Sequence, residues 1–411
     1  MATTTNKAVK LIMVTTDNNN KFYDMEDNGN GTFTVSYGRV GGNATKQTYP
    51  SGEWNKKYRE KTAKGYADQT HLFVEEGDKV DLVDINDPAV KDLIEMLMTY
   101  AKNSISSNYT VSADQVTKKQ VTEAQAILDA LVKKVKKGMK VEDFNKGLLD
   151  LYKVIPRKMK NVNDHLFKEA KTKEDIETIQ NHLGSEQDTL DVMSGQVQIN
   201  EQKKEATKDK TVKVDILQTM GLEMSPVTDD KIITMIKGLM QDESSKFHRA
   251  FAVTNKKTQK AYDEWFGKQN NKKVELFWHG SRSENWMSIL ETGLVLRPAS
   301  AIISGKMFGF GLYFADKFRK SLNYTSLRGS YWAKGSDNKA FLALFDVHVG
   351  NQFHIKKHQS WCYELSAPNL KKQQADADSL FAEGGADLVN NEYIVYEQSQ
   401  CTVKYIVEVH A

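Results

Sequence analysis

Two periodicities divide the chain. Over residues 10–40 apolar and polar positions alternate, which predicts strands at 10–16, 21–26 and 32–40. Asp17-Asn18-Asn19-Asn20 and Asp27-Asn28-Gly29-Asn30-Gly31 separate them, rich in residues that tolerate a positive φ at a turn. Residues 54–64 then read as a helix with a basic face. From Pro88 the period changes to 3.6, with Val90, Leu93, Ile94, Leu97 and Met98 at helical spacing. Segments 122–137, 141–154, 163–170, 172–183 and 187–199 continue that pattern and predict a helical bundle. Residues 203–210, charged and poor in apolar side chains, read as a linker.

From Val212 onward strands return, at 251–253, 275–279, 311–314, 340–347, 393–396 and 403–409. Helices are expected at 228–239, 285–291 and 317–324, and residues 357–390 read as a long loop or hairpin. The prediction is a multidomain α+β protein. It has a small β-rich domain over 1–84, an all-α bundle over 85–203 and a mixed α+β domain over 204–411.

Composition narrows the function little. A chain of 411 residues has room for two or three domains. Its 57 basic and 54 acidic residues nearly cancel, so a polyanion would have to meet a local patch. Cys362 and Cys401 are too few for a disulfide framework or a four-ligand zinc site. They read as free thiols of an intracellular protein, and no metal is expected. The first ten residues lack the apolar stretch of a signal peptide. No run approaches the roughly 18–20 apolar residues of a membrane span.

The candidate chemistry lies in the last third. His279 ends a strand before Gly280-Ser281-Arg282, Tyr313 lies in Gly311-Leu312-Tyr313-Phe314-Ala315-Asp316, and Glu392 opens Tyr393-Ile394-Val395-Tyr396. An imidazole can bond a ribose hydroxyl, and phenol rings can wall a flat cationic ring. A carboxylate can steady the oxocarbenium-like transition state of glycosidic cleavage and accept a proton from an incoming hydroxyl. Tyr324, eleven residues after Tyr313, supplies a second aromatic wall. Gly280 lets a ligand amide approach the backbone, and Ser281 and Ser321 offer hydroxyls to it. Taken singly, the histidine and tyrosines are more often core residues, and the glutamate is as often a solvated strand end. Gly305, Gly309 and Gly311 have no strand–turn–helix context with an acidic residue further on, which excludes a dehydrogenase fingerprint.

Together, His279-Gly-Ser-Arg, Met307-Phe-Gly-x-Gly-Leu-Tyr313-Phe-Ala-Asp, Lys320-Ser321-x-x-Tyr324 and Asn391-Glu392-Tyr-Ile-Val-Tyr resemble, in order, the signature segments of the poly(ADP-ribose) polymerases. The resemblance implies that His279, Tyr313 and Glu392 form the catalytic triad of the polymerising members. It implies that NAD, used as a glycosyl donor, is held by His279, Gly280, Ser281, Asn285, Tyr313, Ser321 and Tyr324. The helical segment resembles that family's autoinhibitory regulatory domain. The β-rich segment resembles a WGR domain, with Tyr37-Gly38-Arg39 where the name-giving Trp-Gly-Arg stands. Tyr37, Arg39, Lys56, Lys57 and Arg59 are then the expected DNA contacts, through phosphates and a terminal sugar or base.

Two positions depart from the polymerising pattern. Phe310 occupies a common lysine position and Asn390 a common tyrosine position, both at the acceptor side. The expected function is a DNA-break-stimulated poly-ADP-ribosyltransferase of the short type. Its partners would be DNA strand breaks, protein acceptors including itself, and an accessory protein completing the site. It would be intracellular, in the nucleus of a eukaryote or the cytoplasm and nucleoid of a bacterium. A mono-ADP-ribosyltransferase and a catalytically silent DNA-end scaffold are the alternatives.

Overall fold

Strand alternation at the N-terminus closes a five-stranded sheet. The computed structural model describes residues 7–73, 82–109, 115–206, 214–296 and 307–411. Strands β1 (Ala8–Val14), β2 (Asn20–Asp27), β3 (Thr32–Arg39), β4 (Thr45–Pro50) and β5 (Ala67–Asp68) lie in the order β4-β3-β2-β1-β5, antiparallel throughout. Leu11, Tyr23, Met25, Phe33 and Val35 bury one face against Trp54 of α1 (Trp54–Ala63).

The helices follow: α2 (Pro88–Asn108), α3 (Lys118–Lys134), α4 (Val141–Val154) and α5 (Lys173–Ala206). Asp87 caps α2 through bonds from Ala89 and Val90, with Pro88 opening the first turn. Thr117 and Gln120 form a reciprocal capping box at the start of α3. By compactness the chain forms two units. One holds the described residues of Met1–Lys79 and Lys102–Val197, the other those of Val80–Ala101, Gln198–Ala301 and Gly305–Ala411.

Inside the first unit, sheet and helices share a buried polar link. Asn20 is fully buried and donates to the carbonyl of Arg157 at 3.0 Å. The Arg157 guanidinium is ion-paired with Glu186 and lies over the rings of Tyr109 and Tyr152. Two sequence expectations fail here. The helices read at 172–183 and 187–199 and the start of the expected linker are one helix, α5. Gly184 costs only about 1 kcal/mol relative to alanine in a helix interior, and Glu186 and Gln187 beside it are held by Arg157 and Gln125. The helix read at 163–170 shrinks to one 3₁₀ turn, Val162–His165. The Asn145 side chain takes both backbone groups of Phe167, so no helical ladder forms there. Linker residues 207–210 and Gly305 lie outside the described residues.

The second unit is α+β. Its strands are β6 (Leu222–Pro226), β7 (Phe247–Asn255), β8 (Val274–Gly280), β9 (Leu312–Phe314), β10 (Lys339–His348), β11 (Gln352–Ile355), β12 (Ser379–Ala382), β13 (Glu392–Val395) and β14 (Cys401–His410). They form two sheets, β6-β7-β14-β10-β8 and β11-β12-β13-β9. A reciprocal backbone pair joins the sheets, Trp278 N to Ala315 O at 2.9 Å and Ala315 N to Trp278 O at 3.0 Å. Helices α6 (Ile216–Met220), α7 (Asp230–Met240), α8 (Lys256–Gly267), α9 (Trp286–Thr292), α10 (Phe318–Leu322) and α11 (Ala367–Gln373) complete it.

The expected loop at 357–390 instead carries α11 and β12. Both are too short for a periodicity to show, and β12 is fixed by pairing with β11 and β13. Val90, Leu93, Ile94 and Leu97 of α2 pack into the core of this unit with Trp286, Phe341 and Ile406. No helix among the described residues is long and apolar enough to cross a membrane.

Candidate active site

β8 delivers His279 to the point where the two sheets join. His279 pairs with Ala343 of β10, and its ring meets the edges of Phe314 and Phe345. Its Nδ1 lies 3.1 Å from the carbonyl oxygen of Tyr313. A carbonyl can only accept, so Nδ1 carries the proton and Nε2 of the neutral ring has the lone pair. That is the tautomer that accepts a bond from a sugar hydroxyl.

Gly280 follows. A Cβ there would overlap the carbonyl oxygen of Ser321, so glycine is what lets β8 and α10 approach. Ser321 is buried and its hydroxyl donates to the Trp278 carbonyl at 3.3 Å. Asn285 donates to Ser281 Oγ at 2.9 Å. Asn285 Oδ1 and Ser283 Oγ are buried with no hydrogen-bond partner among the described residues, so each has capacity left for a bound molecule.

β9 places Tyr313 opposite Ile394 of β13. The phenol donates to the Gly309 carbonyl at 2.9 Å and accepts from the Phe308 amide at 3.1 Å. Gly309 has φ +70° and lies against the backbone of Leu365, a place open to glycine alone. Burial pushes the Tyr313 phenol well above its ordinary range, against the Phe308 amide, so it stays a neutral donor. Tyr324, past the end of α10, keeps 43% of its surface exposed. The Phe310 amide is tied to the Leu365 carbonyl at 2.9 Å, which braces the turn before β9 on the segment before α11.

Glu392 opens β13, one residue before the pairing of Tyr393 with Phe314. Its carboxylate accepts from Lys320 Nζ at 2.6 Å, and Lys320 also donates to the Asn391 carbonyl at 2.9 Å. Burial pushes the Lys320 ammonium below the usual lysine range, and Glu392 opposes that shift. Asp316 lies beside them, accepting from Asn391 Nδ2 at 2.8 Å and from the Tyr393 hydroxyl at 3.3 Å. Its second oxygen is buried without a hydrogen-bond partner among the described residues.

The structure therefore brings His279, Gly280, Ser281, Asn285, Tyr313, Ser321, Tyr324 and Glu392 into one unit around the β8, β9 and β13 ends. Sequence reasoning assigned no role to Lys320 or Asp316, because their partners are distant in the chain. It also passed over Tyr331 and Trp332, 69% and 63% exposed on a loop held by Asn323. Trp332 lies with its ring near parallel to that of Tyr324, centroids 6.5 Å apart. Exposed aromatics on a braced loop were the available signal.

The expected DNA contacts belong to the other unit. Tyr37 and Arg39 continue the face of β3 whose Phe33 and Val35 are buried. Tyr37 stacks on Tyr23, with Lys61 over both rings. The Arg39 guanidinium donates to the carbonyls of Asn18, Met159 and Lys160 and to the Asn18 side chain. Lys56 and Arg59 are exposed, and Lys57 lies over the Tyr49 ring.

A strand-end histidine, tyrosine rings and a largely buried carboxylate at one junction are the side chains that an ADP-ribosyltransferase site needs. The profile described as poly(ADP-ribose) polymerase catalytic domain matches residues 231–411, and that of the WGR domain matches residues 9–72. Putative poly [ADP-ribose] polymerase-like 100L of Invertebrate iridescent virus 6 is 30% identical over 178 residues, 43% of this chain and 93% of that protein. Uncharacterized protein 101L of the same virus is 36% identical over 191 residues, 46% of this chain and 78% of that protein. Poly [ADP-ribose] polymerase 2 of Arabidopsis thaliana is 29% identical over 219 residues, 47% of this chain and 33% of that protein. The chain belongs to the poly(ADP-ribose) polymerase family, carries a WGR domain beside the catalytic domain, and is an NAD ADP-ribosyltransferase.

Proposed function

We propose that this chain cleaves the nicotinamide–ribose bond of NAD and adds ADP-ribose to protein acceptors, itself included, and to growing chains. The observation that carries the reading is the largely buried Glu392 carboxylate, braced by Lys320 and sharing a site with His279 and Tyr313. His279 Nε2 would accept from a ribose hydroxyl. The Gly280 backbone and Ser321 would hold the carboxamide, with Ser281 and Asn285 beside them, while Tyr324 stacks on the nicotinamide. Glu392 would bond the ribose 2′-hydroxyl, stabilise the developing sugar cation and accept the acceptor's proton. Because nicotinamide leaves as a neutral base, the leaving group needs no general acid.

We further propose that DNA breaks switch the enzyme on. Residues 1–84 would read the break through Tyr37, Arg39, Lys56, Lys57 and Arg59, residues 85–203 would restrain the catalytic part, and 204–411 would carry it. Arg39 supports a relay, since its guanidinium already joins the strand end to Met159 and Lys160 of the helical segment. An intracellular enzyme, nuclear in a eukaryote, follows from that role. Phe310 and Asn390 support a second reading, a mono-ADP-ribosyltransferase. NAD consumption with and without nicked DNA, with products sized on a gel, tests all of this. Ladders that appear only with DNA support the main reading. Single additions support the second, and no turnover in either condition leaves a DNA-end scaffold.

A further inference from the structure

Away from that site, His248, Glu408 and His410 gather on one face of the five-stranded sheet β6-β7-β14-β10-β8. Strand alternation puts residues 408 and 410 of β14 on the same side. The register with β7 shifts at this point: Glu408 pairs with Arg249, but Val409 pairs with Phe247. His248 is thus the extra residue of a β-bulge, a device that re-aims a side chain. Its ring stacks on that of His410, centroids 4.0 Å apart and 15° from parallel. His410 Nε2 lies 2.8 Å from Glu408 Oε1. One nitrogen from each ring and one carboxylate oxygen all lie within 4.8 Å of one another.

We propose that His248, Glu408 and His410 bind one divalent transition-metal ion, with zinc the best match to their donor set. Two imidazole nitrogens and one carboxylate oxygen suit zinc. Magnesium and calcium prefer oxygen-only shells. The three side chains come from adjacent strands, so the backbone already fixes their spacing, and only side-chain rotation is needed to converge on an ion.

The surroundings support the assignment. Glu408 is 1% exposed and its Oε2 accepts from Arg249 Nε at 2.7 Å, which holds the carboxylate in place as an outer partner would. Arg249 also pairs with Asp92, and Lys339 Nζ lies 3.8 Å from Glu408 Oε1. The charges of Glu408, Asp92, Arg249 and Lys339 cancel, so the field attracts no dication by itself. Affinity must come from the ligand bonds, which again selects zinc over magnesium. A bound ion would bridge His248 of β7 to Glu408 and His410 of β14. The sequence carries no sign of this, because these ligands lie on strands far apart in the chain.

The test is calorimetric titration of the full chain with zinc chloride in excess magnesium, beside His248→Ala and the double variant His248→Ala/His410→Ala. His248 is exposed, so its replacement should leave the fold intact, and circular dichroism checks this. The wild type should take up one ion per chain. Affinity should fall at least tenfold in the single variant, and the site should vanish in the double one. Zinc should also raise the thermal midpoint of the wild type but not of the double variant. The proposal is overturned if the wild type shows no saturable binding. It is equally overturned if the double variant binds with unchanged stoichiometry and affinity, which would point to Cys362, Cys401 or other histidines.

Discussion

Lys320 Nζ and Glu392 Oε1 lie 2.6 Å apart although 72 residues separate them in the chain. Both side chains are about 85% buried, so neither charge is comfortable without the other. Glu392→Gln keeps an amide oxygen for Lys320 but removes the charge that steadies the sugar cation. It should keep the fold and NAD binding, cost some stability by leaving the Lys320 charge uncompensated, and lower transfer by roughly 10²–10⁴-fold. Polymer formation should suffer more than NAD hydrolysis. Polymer of near-normal length from this variant would remove Glu392 from the catalytic role.

Tyr324 presents a partly exposed ring where nicotinamide is expected to lie. Benzamide-like compounds copy the flat ring and its amide and should compete with NAD. Tyr324→Ala should weaken such a compound by about 1–3 kcal/mol, from lost burial and stacking. Calorimetry giving equal affinities would contradict the placement.

Gly280 lies where an added methyl meets the Ser321 carbonyl. Gly280→Ala must therefore push β8 from α10. Overpacking of this kind costs about 1–3 kcal/mol, and the carboxamide pocket should distort with it. Chemical denaturation should show the lost stability, and the Michaelis constant for NAD should rise. A variant with wild-type stability and affinity would show that the backbone yields there freely.

A fragment beginning near Lys210 should turn over NAD without DNA if residues 85–203 are the restraint, whereas the full chain should be nearly silent until broken DNA is added. The same cut removes Val90, Leu93, Ile94 and Leu97 from the core of the catalytic unit. Each buried apolar side chain contributes about 1.5–3 kcal/mol, so the fragment should also melt earlier. Arg39→Ala in the full chain should abolish DNA stimulation, read as NAD turnover across a DNA titration. Equal plateaus at equal DNA would exclude Arg39 from the switch.

Burial holds the His182 imidazole below the ordinary histidine value of 6.5, with Glu186 opposing and Arg157 reinforcing. As pH falls through 6.5 the unfolded chain takes up this proton first, so stability is complete above that value and declines below it. The decline ends once the folded ring also titrates. His182→Gln retains a polar partner for the Tyr152 hydroxyl, which lies 3.1 Å from the native ring. The variant's thermal midpoint should fall less between neutral and mildly acidic pH than the wild type's. Parallel pH profiles would rule the histidine out as a contributor.

Much of this architecture was legible because local periodicity and tertiary burial agree. The strands carrying His279 and Glu392 lie close to where the sequence pattern placed them, and α4 has the bounds its 3.6-residue period implied. What stayed hidden was decided by partners distant in the chain. Asn145 unmakes a helix at Phe167, Glu186 keeps α5 continuous past Gly184, and β12 exists because β11 and β13 flank it. At the site the same division holds. Motif residues could be named in advance, but Lys320 and Asp316 acquire meaning only when β13 arrives beside α10.

The reciprocal bonds between Trp278 and Ala315 are made by backbone alone, one residue before His279 and one after Phe314. The seam itself therefore asks for no particular side chain at 278 or 315, although the core and the Leu239 carbonyl hold Trp278; what the seam fixes is residue count. One residue inserted between Trp278 and His279 would turn the imidazole to the opposite face of the sheet. What descent must preserve at this junction is a length of chain, and a lineage can lose the enzyme there by a single codon gained while every motif residue survives.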